Sequence, residues 1–226
     1  MNGLVTLLLS FHIAAGCFSL ILFWVPIFTT KGNQSHRRIG KLYVKAMWLV
    51  VITAIFLCLN NILNGEFLMG SFLAFLVIIT AKPLWLGIAT LSNKKAISTA
   101  FRNQQIIFNV ITIVGGVMLL MYGISLGGKG IALYLIIFGC LGMLSIFELI
   151  TCFKKNEASN EWLNTHLANM CTSAIAAYTA FFAFGVSSIM NEVLTSYWGI
   201  LPWVAPSIIG TISIRLAVAR NNRKTI

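Results

Sequence analysis

The chain has 226 residues, 58% of them hydrophobic and 9% charged, and a formal net charge of +11. A soluble domain carries about 25% charged residues, so this chain cannot clothe a water-exposed surface, and its mean hydropathy of +0.90 makes lipid the fitting solvent. The basic excess does not indicate nucleic acid, because Lys and Arg sit in short segments between apolar runs and no folded basic face is available.

Seven apolar runs are each long enough to cross the hydrocarbon core as a helix, which takes about 20 residues. In chain order they cover residues 4–28, 44–63, 71–91, 106–126, 131–153, 167–190 and 198–219. Lipid offers no partner to a bare peptide group, so each run is predicted to be helical. The first run has no positive charge before it and Lys31 after it, which reads as a retained span entering with its N-terminus outside. All but two of the 16 Lys and Arg residues fall at one end of the alternating spans, the exceptions being Lys82 and Lys129. By the positive-inside rule that end is cytoplasmic. Tyr43, Trp162, Tyr197 and Trp198 stand near span ends, as interfacial aromatics do. Glycines in the fourth and fifth spans, among them Gly116, Gly123, Gly139 and Gly142, permit close helix approach. The predicted fold is therefore all-α: a polytopic integral membrane protein, a seven-transmembrane-helix bundle. It forms a single domain over residues 1–226, with the N-terminus outside and the C-terminus cytoplasmic.

The third span contains Lys82-Pro83. A lysine at mid-membrane costs about 2.5–3.5 kcal/mol on insertion scales, and Pro83 frees the carbonyl of Ile79. The plain reading is a kink with the lysine neutral or bonded to freed carbonyls. The functional reading is a counter-charge in a polar cavity. Glu148 lies in the fifth span and leans toward the membrane centre, where it meets Lys82 if the two helices are neighbours. His12, in the outer half of the first span, and His166, at the entry of the sixth, differ too much in depth to ligate one haem iron. His36 and His166 share the cytoplasmic side, and that pair stays open. His166 and Met170 share a helix face beside Cys171, a soft set able to hold copper; the plainer reading is a capping histidine and packed core. His36, Arg37, Arg38 and Lys41, in the stretch SHRRIGK, suit lipid phosphate. The five cysteines form no C-x-x-C pair, and the chain has no Asp and no hydrolase motif. No catalytic set, metal site or cofactor is assigned from the residues.

Several stretches carry a likeness: HIAAG in the first span, HRRIGKLYVKAM before the second, Glu148 near the end of the fifth, WLNTHLANMCTSAIAAYTAFF in the sixth and LPWVAPSIIGT in the seventh. The sequence resembles an uncharacterised family of predicted bacterial membrane proteins, the domain-of-unknown-function type numbered twenty-three-oh-six. The resemblance implies a multi-pass protein of the bacterial plasma (inner) membrane, in which His12, His36, Arg37, Gly40, His166 and Met170 match the recurring pattern. It implies no activity. Lys82 departs from the pattern, which holds a neutral or aromatic residue there, so the resemblance assigns Lys82 no family-wide role.

The expected function is binding or translocation of a small molecule, ion or lipid between the helices, using His12, Lys82, Glu148, His166 and Met170. The alternatives are a redox protein holding haem or copper through His166, and an accessory subunit of a membrane complex. The expected partners are the lipid bilayer and its anionic cytoplasmic headgroups, not nucleic acid.

Overall fold

The computed structural model describes residues 3–95, 97–129, 131–153, 161–186 and 201–223. The described residues are helical with short turns between, and contain no strand. The helices are α1 (Gly3–Phe28), α2 (Gln34–Leu63), α3 (Phe67–Ala89), α4 (Thr99–Ser125), α5 (Ile131–Met143), α6 (Ser145–Cys152), α7 (Glu161–Ala180) and α8 (Leu201–Arg223). A 3₁₀ turn, Thr90–Ser92, extends α3, and a π-helical turn, Phe181–Val186, extends α7. Taking α5 with α6 as one span, seven helices among the described residues are long and apolar enough to cross a membrane. The predicted end of the sixth span near Met190, the start of the seventh at Trp198, and Tyr197, Lys154, Lys155, Glu157 and Lys224 lie outside the described residues.

Several helices begin earlier than their apolar runs, α2 and α4 by the most. Helix α2 starts ten residues before Val44, because the Asn33 side chain accepts from the His36 N–H at 2.7 Å and caps the new N-terminus. Helix α4 starts seven residues before Ile106, capped by the Ser98 hydroxyl, which accepts from Phe101 N–H at 3.2 Å. Polar first turns are thus helical although hydropathy does not mark them.

The α2–α3 and α4–α5 turns are built alike. Gly65 (φ +83°) donates to Ile62 O, and Glu66 donates to Asn61 O. Gly127 (φ +80°) donates to Ile124 O, and Gly128 donates to Gly123 O. Each is the paired-bond terminus that satisfies the last helical carbonyls and needs a residue free to take positive φ.

The chain divides into two compact units, one of residues 1–57 and 167–226, the other of residues 58–166. In the first, the fully buried Met47 and Ser173 lie at the core, and the buried Tyr43 hydroxyl bonds the Ser173 hydroxyl at 2.7 Å. Phe184 packs edge-on against Trp203 with ring centroids 5.1 Å apart. In the second, α4 and α5 approach backbone to backbone. A Cβ added at Gly116 would lie 2.8 Å from Gly139 O, and one at Gly139 would lie 2.7 Å from Gly116 O. No residue with a side chain fits at this crossing. Phe72 and Phe138 close the core edge-on at 5.3 Å. Outside these cores the helices present large apolar side chains such as Leu7, Ile21, Phe56, Met118 and Ile209. Such a surface is costly in water and suits a hydrocarbon environment.

Candidate functional site

Within the second unit, α3, α4 and α6 bring together a polar cluster in apolar surroundings. Lys82 is 6% exposed. Its Nζ lies 2.8 Å from Glu148 Oε2 and donates to Ser145 Oγ at 3.0 Å. The lysine therefore spends its hydrogen bonds on α6 and not on the Ile79 carbonyl that Pro83 frees. The contact that the lean of the two spans allows is made. Its two members differ sharply in environment, for the Glu148 side chain is 62% exposed.

Backbone irregularity accompanies the pair. The helix breaks at Leu144, where Leu144 N–H bonds Leu141 O and Phe147 N–H bonds Leu144 O, each three residues back. Such a tightened turn commonly marks a functional position in a helix. Here it stands directly before Ser145, whose hydroxyl takes the lysine. Pro83 lies within the continuous helix α3, next to Lys82.

One turn beyond Glu148, Cys152 Sγ lies 3.3 Å from the Glu148 carbonyl oxygen and 3.8 Å from Asn109 Nδ2. The Thr151 hydroxyl donates to the same Glu148 carbonyl at 2.7 Å. Asn109 is 2% exposed, and its Oδ1 is buried with no hydrogen-bond partner among the described residues. A buried amide oxygen left unpaired costs about 1–3 kcal/mol; the Thr29 and Thr179 hydroxyl oxygens share this state elsewhere in the chain. The cluster thus holds one buried cation, one half-exposed carboxylate, a hydroxyl and an unpaired acceptor. Sequence reasoning missed Ser145 and Asn109. Ser145 carries a readable signal, standing three residues before Glu148 on the same helix face. Asn109 shows only as an amide inside an apolar span.

The other sequence candidates make their contacts with other residues, several of them at helix ends. His166 Nδ1 bonds the Gly87 carbonyl at 2.7 Å, which places the ring on a last-turn carbonyl of α3. Close to it, Lys94 Nζ lies 4.6 Å from the centroid of the Trp162 ring. Met170, in the other unit, is half-buried, and its carbonyl accepts from the Ser173 hydroxyl. His12 Nδ1 lies 2.9 Å from Thr53 Oγ1; the threonine hydroxyl bonds back to Leu49 O, so the ring nitrogen donates. His36 Nδ1 donates to Pro26 O at 3.2 Å, and Lys31 Nζ bonds Pro26 O and Ile27 O at 2.8 and 2.9 Å. Both side chains seal the end of α1. Partial burial pulls the Lys31 ammonium below the usual lysine value. Arg37, Arg38 and Lys41 are exposed on the first two turns of α2. Among the described residues, no three His, Cys, Asp or Glu side chains gather as a metal site.

No protein-family model matches the chain, and no curated protein or solved structure does either.

Proposed function

We propose that the chain is a non-enzymatic multi-pass membrane protein that binds, and passes between its helices, a small hydrogen-bond-donating solute or cation at the Lys82–Glu148–Ser145–Asn109 cluster. The observation that carries this reading is the ion pair itself: a buried lysine held by a carboxylate that remains largely open. Ionisable groups inside a span are expensive and mark solute or proton paths more often than they mark packing. Lys82 occupies one carboxylate oxygen of Glu148, leaving acceptor capacity there, and Asn109 Oδ1 adds a second unused acceptor. Acceptors without donors suit a ligand that brings N–H or O–H groups, or a bare cation.

Orientation and location belong to the same reading. The positive-inside rule supports a cytoplasmic basic end and an external N-terminus, and the likeness to the bacterial domain-of-unknown-function family supports a plasma-membrane location. Arg37, Arg38 and Lys41, all exposed, face anionic headgroups there.

A thermal-shift panel of monovalent cations and small amines on the purified protein tests the site. At least one probe should raise the Tm of the wild type and leave that of Glu148→Gln unmoved. A panel that stabilises neither protein, or both alike, defeats the reading.

The alternative, a redox protein holding haem or copper at His166, has one observation behind it. Nδ1 is held by a backbone carbonyl, as the second nitrogen of a ligating histidine commonly is. It requires a visible band that shifts on reduction and disappears in His166→Ala.

A further inference from the structure

The first unit contains a groove between α1 and α2, about 240 Å³ in volume, lined by Ala15, Phe18, Leu42, Lys45, Ala46 and Leu49. Pockets for drug-sized solutes run to about 300–1,000 Å³, so this one suits something slender. Its walls are apolar but for Lys45, and Phe18, Leu42 and Leu49 leave it open at the surface of the unit.

The position of Lys45 gives the groove a polarity. Helix α2 begins with polar turns, and its apolar stretch runs on from Ala46, next to Lys45. Lys45 therefore stands where the helix passes from polar to apolar, roughly 16 Å from its first residue at 1.5 Å per residue. Ala46 and Leu49 continue from it along the apolar part. Arg38 and Lys41 precede it by two turns and one turn, both exposed. Among the described residues none of the three has a carboxylate partner, and those of this unit contain no Asp or Glu.

We infer that this groove is a specific site for one anionic phospholipid, its phosphate held by Lys45 with Lys41 and Arg38, and one acyl chain laid along Ala15, Phe18, Ala46 and Leu49. A cationic mouth opening onto a narrow apolar channel complements a ligand with an anionic head and a hydrocarbon tail. Unpaired basic residues at the membrane surface attract such heads, and burying chain methylenes adds to the binding. The inference rests on the membrane reading above but not on the Lys82–Glu148 site.

The test is native mass spectrometry of the full chain in detergent, with phosphatidylglycerol or phosphatidylcholine of identical chains added. One phosphatidylglycerol should remain bound under conditions that strip phosphatidylcholine. Lys45→Gln should lower its retention roughly fivefold, the factor expected of about one basic residue at an anionic surface. Arg220→Gln removes the same charge from the end of α8 and should change nothing. Leu49→Trp fills the groove from an exposed position, so it should fold and still lose the lipid. Equal retention of the two lipids overturns the proposal and needs no variant. Equal effects of Lys45→Gln and Arg220→Gln overturn it in favour of non-specific charge. Retention in Leu49→Trp, or displacement by glycerol phosphate at equal excess, overturns it in favour of a site for the phosphate alone. Alkaline carbonate washing of membranes reads the underlying premise separately: extraction of the chain would remove the membrane reading and the lipid site together.

Discussion

Lys82 Nζ stands 2.8 Å from Glu148 Oε2, yet the lysine side chain is 7% exposed and the glutamate side chain 62%. This asymmetry makes the two halves of the pair unequal under mutation. Glu148→Gln strands a buried ammonium with only Ser145 for company, at a cost of about 3 kcal/mol. Lys82→Met strands a carboxylate that is already open, and costs no more than about 1 kcal/mol. The double variant should recover most of the loss from Glu148→Gln. Thermal unfolding in one detergent measures all four corners of the cycle. Equal costs for the two single variants would show that burial does not govern the pair.

Asn109 offers a test of whether its idle oxygen is a structural defect or a binding group. Asn109→Leu keeps the volume and removes an unsatisfied acceptor, so stability should hold or rise by about 1 kcal/mol. The same variant should lose the thermal shift given by whichever cation or amine stabilises the wild type. A destabilisation of more than 1 kcal/mol, roughly that of a lost hydrogen bond, would mean that Oδ1 is engaged.

Two glycines make a matched contrast. Gly139→Ala drives a Cβ to 2.7 Å from Gly116 O, where backbone must shift, and should cost about 1–3 kcal/mol. Gly40→Ala meets nothing within 4 Å on helix α2 and should stabilise by roughly 0.5–1 kcal/mol. Melting curves of both, side by side, check the pair. If Gly139→Ala is harmless, the close α4–α5 crossing is not what holds this unit.

The proposed topology has its own outcome. Green fluorescent protein fused after Ile226 should fluoresce, and alkaline phosphatase at the same point should stay inactive. The reverse pattern would place the basic residues outside and invert every depth assigned to His12, Lys82 and Glu148.

The seven spans were legible in the sequence because hydropathy belongs to each segment separately. A peptide group in lipid must bond within its own helix, so a long apolar run has one structural solution whatever surrounds it. Helix ends were less legible. Asn33 and Ser98 extend α2 and α4 into polar sequence through side-chain bonds that hydropathy does not register. His36, read as a headgroup ligand, bonds a carbonyl at the end of α1 through Nδ1, a contact that the sequence does not announce.

Partnership is what tertiary structure alone decides here. Helices α1, α3 and α5 are apolar nearly all round, so their sequences carry little information about which face turns inward. Whether Lys82 meets Glu148, or Asn109 is sealed from solvent, depends on the rotation of each helix about its axis and on its axial register. Those are set by close contacts such as Gly116 against Gly139. Composition thus settles that the chain is a set of lipid-suited helices, whereas the chemistry of its polar cluster emerges only when particular faces pack.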